Sequence, residues 1–91
     1  MRTANSTTKG GQWDQQTIAA VWTKARAIQG YDSNQYRQDA YGTWIARSEY
    51  GMTTKFGWEV DHILPVARNG SDALSNLQPL HWQNNRSKGD G

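Results

Sequence analysis

No cysteine occurs among the 91 residues of this chain, and that absence limits how it can fold more than any motif it contains. A chain of this length fits one domain, buries a modest fraction of its surface and is marginal without some form of staple. Disulfides and thiolate zinc sites are both excluded. Aromatic packing remains: there are five Trp and four Tyr, and each large ring can bury roughly 150–250 Å². Apolar residues are 35% of the chain, below the usual globular share, so the core must be compact. A cysteine-free chain also fits a reducing cytosol. No segment approaches the ~18 apolar residues of a membrane span. The opening MRTANSTTKGGQ lacks the apolar run of a secretory signal. A cytoplasmic protein with no membrane partner is therefore expected. The net charge of +2 permits contact with polyanions but is too mild to predict it.

Residues 1–12 are polar and small and read as a flexible tail with nothing to bury; residues 13–91 read as the domain. DQQTIAAVWTKARAIQG predicts a helix over 14–30. Ile18, Val21, Trp22, Ala25 and Ile28 form one apolar stripe, Asp14 is the N-cap and Gly30 the stop. Lys24 and Arg26 lie off the stripe and are expected in solvent. YDSNQ carries turn chemistry, and β-branched and aromatic residues predict a strand near 43–46. GMTTKFG is a loop. WEVDHI predicts a strand on which Trp58, Val60 and His62 point one way and Glu59, Asp61 and Ile63 the other. Pro65 ends it. ARNGSDALS is a loop with an Asn-Gly turn. NLQPL is a second short strand that tolerates Pro79 only near its end or on an edge, and HWQNNRSKGD is a short final helix stopped by Gly89.

A carboxylate, an imidazole and carboxamides thus follow one another along strand, loop, strand and helix. In this order, DHI-P at Asp61, His62, Ile63 and Pro65, NLQPL from Asn76, and NNRSKGD with Asn85, Lys88, Gly89 and Asp90 resemble the HNH nuclease motif, a ββα-metal finger, over residues 57–90. The third signature position is Asn85, giving an H-N-N variant. The resemblance implies an α+β fold: a small single domain with the N-terminal helix packed on the ββα-metal motif. It implies a divalent-metal-dependent endonuclease that hydrolyses DNA phosphodiester bonds, with double-stranded DNA as the partner. Phosphodiester hydrolysis needs an activated water and a cation to absorb charge on the phosphoryl and leaving oxygens. By this resemblance His62 is the general base, Asp61 and Asn85 are the metal ligands, and Asn76 braces the loop around His62. Carboxylate, amide oxygen and water are hard donors that suit Mg²⁺, with Mn²⁺ able to substitute. Arg86, Lys88, Arg68 and Arg47 are the candidate phosphate contacts, and Arg37 a weaker one. One active site cuts one strand at a time, so nicking with low sequence specificity is expected unless a second copy or a larger partner protein joins in.

Many members of the family also carry two CxxC pairs on a structural zinc. The corresponding positions here are Gln38, Tyr41, His81 and Asn84, none of them cysteine, so no structural zinc is expected. Trp44, Trp58, Trp82 and the stripe at Ile18 and Trp22 are expected to take over the scaffold role. Taken singly, the residues have blander readings. His81 is a surface or helix-capping residue; Asp72 and Asp90 are solvated, Asp72 shaping its loop; Glu59 shares a face with Asp61 and could assist it. Two rival functions use the same fold. One is a module that binds nucleic acid or a partner protein without cutting. The other is a structural metal domain, which two obvious protein ligands do not favour.

Overall fold

In the computed structural model, which describes residues 2–89, the Asp14 carboxylate accepts the Thr17 amide at 2.7 Å and opens α1, Gln15–Trp22. Ile18, Val21 and Trp22 turn inward, as their spacing predicts. The predicted helix continues to 30, but α1 stops at Trp22 with Thr23 as its C-cap. The cause lies far along the chain. Arg26 exchanges backbone hydrogen bonds with Gln38 at 2.8 and 3.0 Å, which draws the chain into an extended pairing. The Arg37 guanidinium then donates to the carbonyls of Thr23 and Ala25, each at 3.1 Å, supplying partners that a helix end lacks. Lys24 and Arg26 are exposed, as expected, and the Lys24 ammonium also donates to the carbonyl oxygens of Leu74 and Leu77.

Two antiparallel hairpins follow. β1, Tyr36–Gln38, pairs with β2, Trp44–Ala46, in the register Tyr36↔Ala46 and Gln38↔Trp44. β2 matches the predicted strand, whereas β1 is not predicted. β3, Trp58–His62, pairs with β4, Leu77–His81, so that Trp58 faces His81 and His62 faces Leu77. Pro79 sits in the middle of β4, which it tolerates because β4 is an edge strand. α2, Trp82–Lys88, leaves β4 directly and completes a ββα unit. The architecture is α+β, a small single domain.

α1 covers one face of the β3–β4 hairpin and α2 the other, so every residue of β3 is buried. The core on the α1 side joins Trp13, Ile18, Val21, Trp22, Ile45, Trp58, Val60 and Leu77. The rings of Trp22 and Trp58 lie 5.4 Å apart, and Tyr50 meets Trp58 edge-on at 5.0 Å. Two of the tryptophans expected here are elsewhere. Trp44 and Trp82 are half-buried: Trp44 packs on Tyr31, and the Trp82 indole donates to the Thr54 carbonyl. Trp13 takes their place in the core.

Three of the four positions where the resemblance puts zinc-binding cysteines, Tyr41, His81 and Asn84, converge on a carboxylate instead. Asp39 is buried in the turn between β1 and β2. Its Oδ1 accepts the amides of Tyr41 and Thr43 at 3.0 and 2.9 Å. Its Oδ2 accepts the His81 amide and the Asn84 carboxamide, both at 2.9 Å. One side chain therefore ties the β1–β2 hairpin to the start of α2.

Residues 2–12 depart from the reading as a free tail. Asn5, at φ 58°, accepts the Val60 amide at 2.8 Å and the Tyr50 hydroxyl at 3.0 Å through its Oδ1. With the Tyr50–Trp58 bridge it covers the edge of β3 that β4 leaves open. No helix among the described residues is long and apolar enough to cross a membrane. Asp90, expected in solvent, lies outside the described residues.

Candidate active site

Strand parity divides the candidate residues between two faces of β3. Glu59 and Asp61 face α2; His62, like Trp58 and Val60, faces away. Asp61 is 0% exposed. Its Oδ2 accepts the carboxamide of Gln78, its cross-strand neighbour, at 2.9 Å, and its Oδ1 accepts the Lys88 ammonium at 3.1 Å. Glu59 is equally buried and takes two partners from α2. The Asn85 carboxamide donates to Oε1 at 3.0 Å, and the Arg86 guanidinium donates to Oε2 at 2.9 Å. Hydrogen bonding to Glu59, and then its charge, raise the Arg86 pKa further. Burying two carboxylates about 7 Å apart along one strand is costly unless each is matched by a cation or donors, and α2 supplies both.

Asn85 therefore meets the carboxylate two residues before the expected Asp61. With its nitrogen given to Glu59, its Oδ1 is buried and has no hydrogen-bond partner. An orphaned buried acceptor on a side chain bonded to a buried carboxylate is a place where a hard cation fits. Among the described residues no group of three or more His, Cys, Asp or Glu side chains could hold a metal ion. The oxygen donors on this face of β3 and α2 are Asp61, Glu59 and the Asn85 carboxamide.

His62 does not join them. Its ring is 0% exposed and packs against Trp13 with centroids 5.5 Å apart. Nε2 lies 2.8 Å from Asp72 Oδ1. Since a carboxylate accepts, Nε2 carries a proton, and Nδ1 is buried without a partner. Asp72, expected only to shape its loop, is also held by the amide and hydroxyl of Thr8, each at 3.0 Å. Burial pushes the Asp72 pKa up, but the hydrogen bonds from His62 and Thr8 outweigh this and hold it below the usual carboxylate value. The reach of Thr8 across the fold leaves no local trace in the sequence.

Asn76 braces the loop that follows His62. Its Oδ1 accepts the Leu64 amide at 2.8 Å, and its nitrogen donates to the carbonyls of Leu64 and Ser71 at 3.2 and 2.9 Å. Within that loop Asn69 is left-handed at φ 69°. A Cβ on Gly70 would meet the Leu64 carbonyl oxygen at 1.7 Å, so only glycine fits. Arg68 is exposed on the same loop. Arg47 stands apart, lining a groove on the α1 side with Gln15, Ile18 and Ser48. His81 caps α2: Nδ1 accepts the Gln83 amide and Nε2 donates to the Lys55 carbonyl. Arg86 and Lys88, expected on phosphates, are both engaged with the buried carboxylates.

Residues 52–91 match the family model described as HNH endonuclease. No curated protein and no solved structure matches the chain.

Proposed function

From the match of residues 52–91 to the HNH endonuclease family model we propose that the protein is a divalent-metal-dependent endonuclease that hydrolyses DNA, nicking with low sequence specificity. The observation that carries this reading is the unpartnered Asn85 Oδ1, buried on the same face as Asp61 and Glu59. Asp61 and Asn85 would hold the cation, Mg²⁺ or in its place Mn²⁺, with Glu59 fixing the Asn85 carboxamide so that its oxygen is presented. When bound, the cation supplies positive charge to the phosphoryl and leaving oxygens.

The remaining work falls to side chains. For His62 to accept the proton of the attacking water at Nε2, Asp72 must release that nitrogen, the ring proton must sit on Nδ1, and the ring must turn from Trp13 toward the face that carries Asp61. Asp72 can give way, because its side chain is 36% exposed on a surface loop. Asn76 keeps the backbone after His62 in place during that exchange. Arg68 meets backbone phosphates from the neighbouring loop. Arg47, on the α1 side, would reach only a nucleic acid that wraps around the domain.

A second reading is favoured by the sealed imidazole: a non-catalytic module that binds nucleic acid or protein on the same fold. Supercoiled plasmid separates the two. Nicking that requires Mg²⁺, stops with EDTA and disappears in His62→Ala is the expected result. Retention of plasmid by the protein without any nicking favours the binding module. Asn85→His should shift metal preference from Mg²⁺ toward softer ions; unchanged Mg²⁺ dependence removes Asn85 from the ligand set.

A further inference from the structure

Lys88 is in an unexpected place for a residue that should touch DNA. Its ammonium donates to Asp61 Oδ1 at 3.1 Å and to the His62 carbonyl at 2.9 Å. A carboxylate and a carbonyl oxygen are the donors that a hard divalent ion takes. We infer that the Lys88 ammonium is a resident counter-ion for Asp61, displaced when a divalent cation binds and thereby delivered toward the phosphate backbone. The inference rests on the metal reading proposed above and names how that site is loaded.

Charge balance carries the argument. Glu59 and Asp61 are matched by Arg86 and Lys88, so the buried cluster is neutral as it stands. A divalent ion added to it creates an excess of positive charge in a poorly solvated place, and one resident cation must leave. Arg86 is the better anchored. It donates to both Glu59 oxygens and lies over the Trp82 ring at 5.4 Å. Lys88 has two oxygen partners and no ring. It is the last residue of α2, followed by Gly89 at φ 76°; its side chain is 21% exposed against 50% for Arg86, so weaker anchoring and not exposure marks it as the one to leave. Rotation of one flexible side chain frees Asp61 Oδ1, while Gln78 continues to hold Oδ2. The released ammonium then stands at the rim of the site as a point charge for phosphate. Metal loading and nucleic-acid binding would thus assist each other by the same factor.

Two measurements made without nucleic acid test this. Amine-reactive labelling of the full chain, read peptide by peptide by mass spectrometry, compares EDTA with saturating Mg²⁺. Lys88 labelling should rise several-fold, while Lys24, held by the Leu74 and Leu77 carbonyls away from the site, should not change. Calorimetric titration should show Mg²⁺ binding about tenfold tighter to Lys88→Gln than to the parent, the effect of removing one charge-assisted competitor. If Lys88→Gln does not fold, the labelling of the parent decides alone. Mg²⁺ binding with unchanged Lys88 labelling overturns the displacement and leaves the metal reading standing. Mg²⁺ binding to neither protein overturns both.

Discussion

Asp39 shows how much one side chain can do where metal-binding residues are lacking. It accepts four hydrogen bonds from two chain segments, and bonds to a charged acceptor contribute more than neutral ones. Asp39→Ala should cost roughly 3 kcal/mol or more, because buried donors are left unpaired; urea denaturation measures it, and a loss under 1 kcal/mol would deny the staple. Asp72 makes a pH prediction. Its folded pKa lies below the unfolded value, so its stabilisation is complete above the unfolded pKa of ~3.9 and fades as pH falls through the folded value. Melting temperature should drop more steeply below about pH 4 in the parent than in Asp72→Asn; identical profiles would remove the His62–Asp72 contact from the stability of the fold. The residues of the motif are legible from their spacing, but their partners are not. Strand parity alone separates Asp61 from His62, whereas which face meets α2, and the meeting of Asn85 with Glu59, depend on how α2 packs along β3. Asp39 gives only the local signal of an Asp that opens a tight turn before Gly42.

Elements were legible where their pattern is local, as in the Asp14 cap and the stripe of α1, or the alternation of β3. They failed where a distant pairing intervened. The stripe runs on through Ala25 and Ile28, yet α1 ends because Arg26 pairs with Gln38, twelve positions on, and no helix signal reports that. β1 was missed for the same reason, being a short strand defined by its neighbours. α2, with seven residues, is too short to persist alone. It is held by the His81 cap, the Asp39–Asn84 tie and the two carboxylates of β3. The loop between β3 and β4 depends comparably on Asn76, whose side chain makes three backbone hydrogen bonds. Asn76→Ala should destabilise the protein by about 2 kcal/mol and speed proteolysis within residues 63–76. Unchanged cleavage there would mean that the Asn69–Gly70 turn suffices.

At the scale of the molecule, residues 2–12 are part of how the domain is closed. Their polarity conceals this, since they dock by hydrogen bonds and not by apolar burial. Asn5→Ala should leave the Val60 amide without its acceptor, so hydrogen exchange at Val60 should accelerate together with a lower melting temperature. Protection equal to the parent would show that another group covers that edge. The Asp39 tie has a practical consequence for testing the proposed activity. Small domains stapled by a thiolate-bound ion come apart when a chelator removes it, so loss of activity in EDTA conflates a stripped reaction centre with a collapsed scaffold. Here the corresponding tie is a carboxylate between two pieces of backbone, insensitive to sequestering agents and to oxidation of sulfur. If the proposed Mg²⁺-dependent nicking is observed, chelation should act as a reversible switch on the chemistry alone, and restoring Mg²⁺ should return full turnover without a refolding lag.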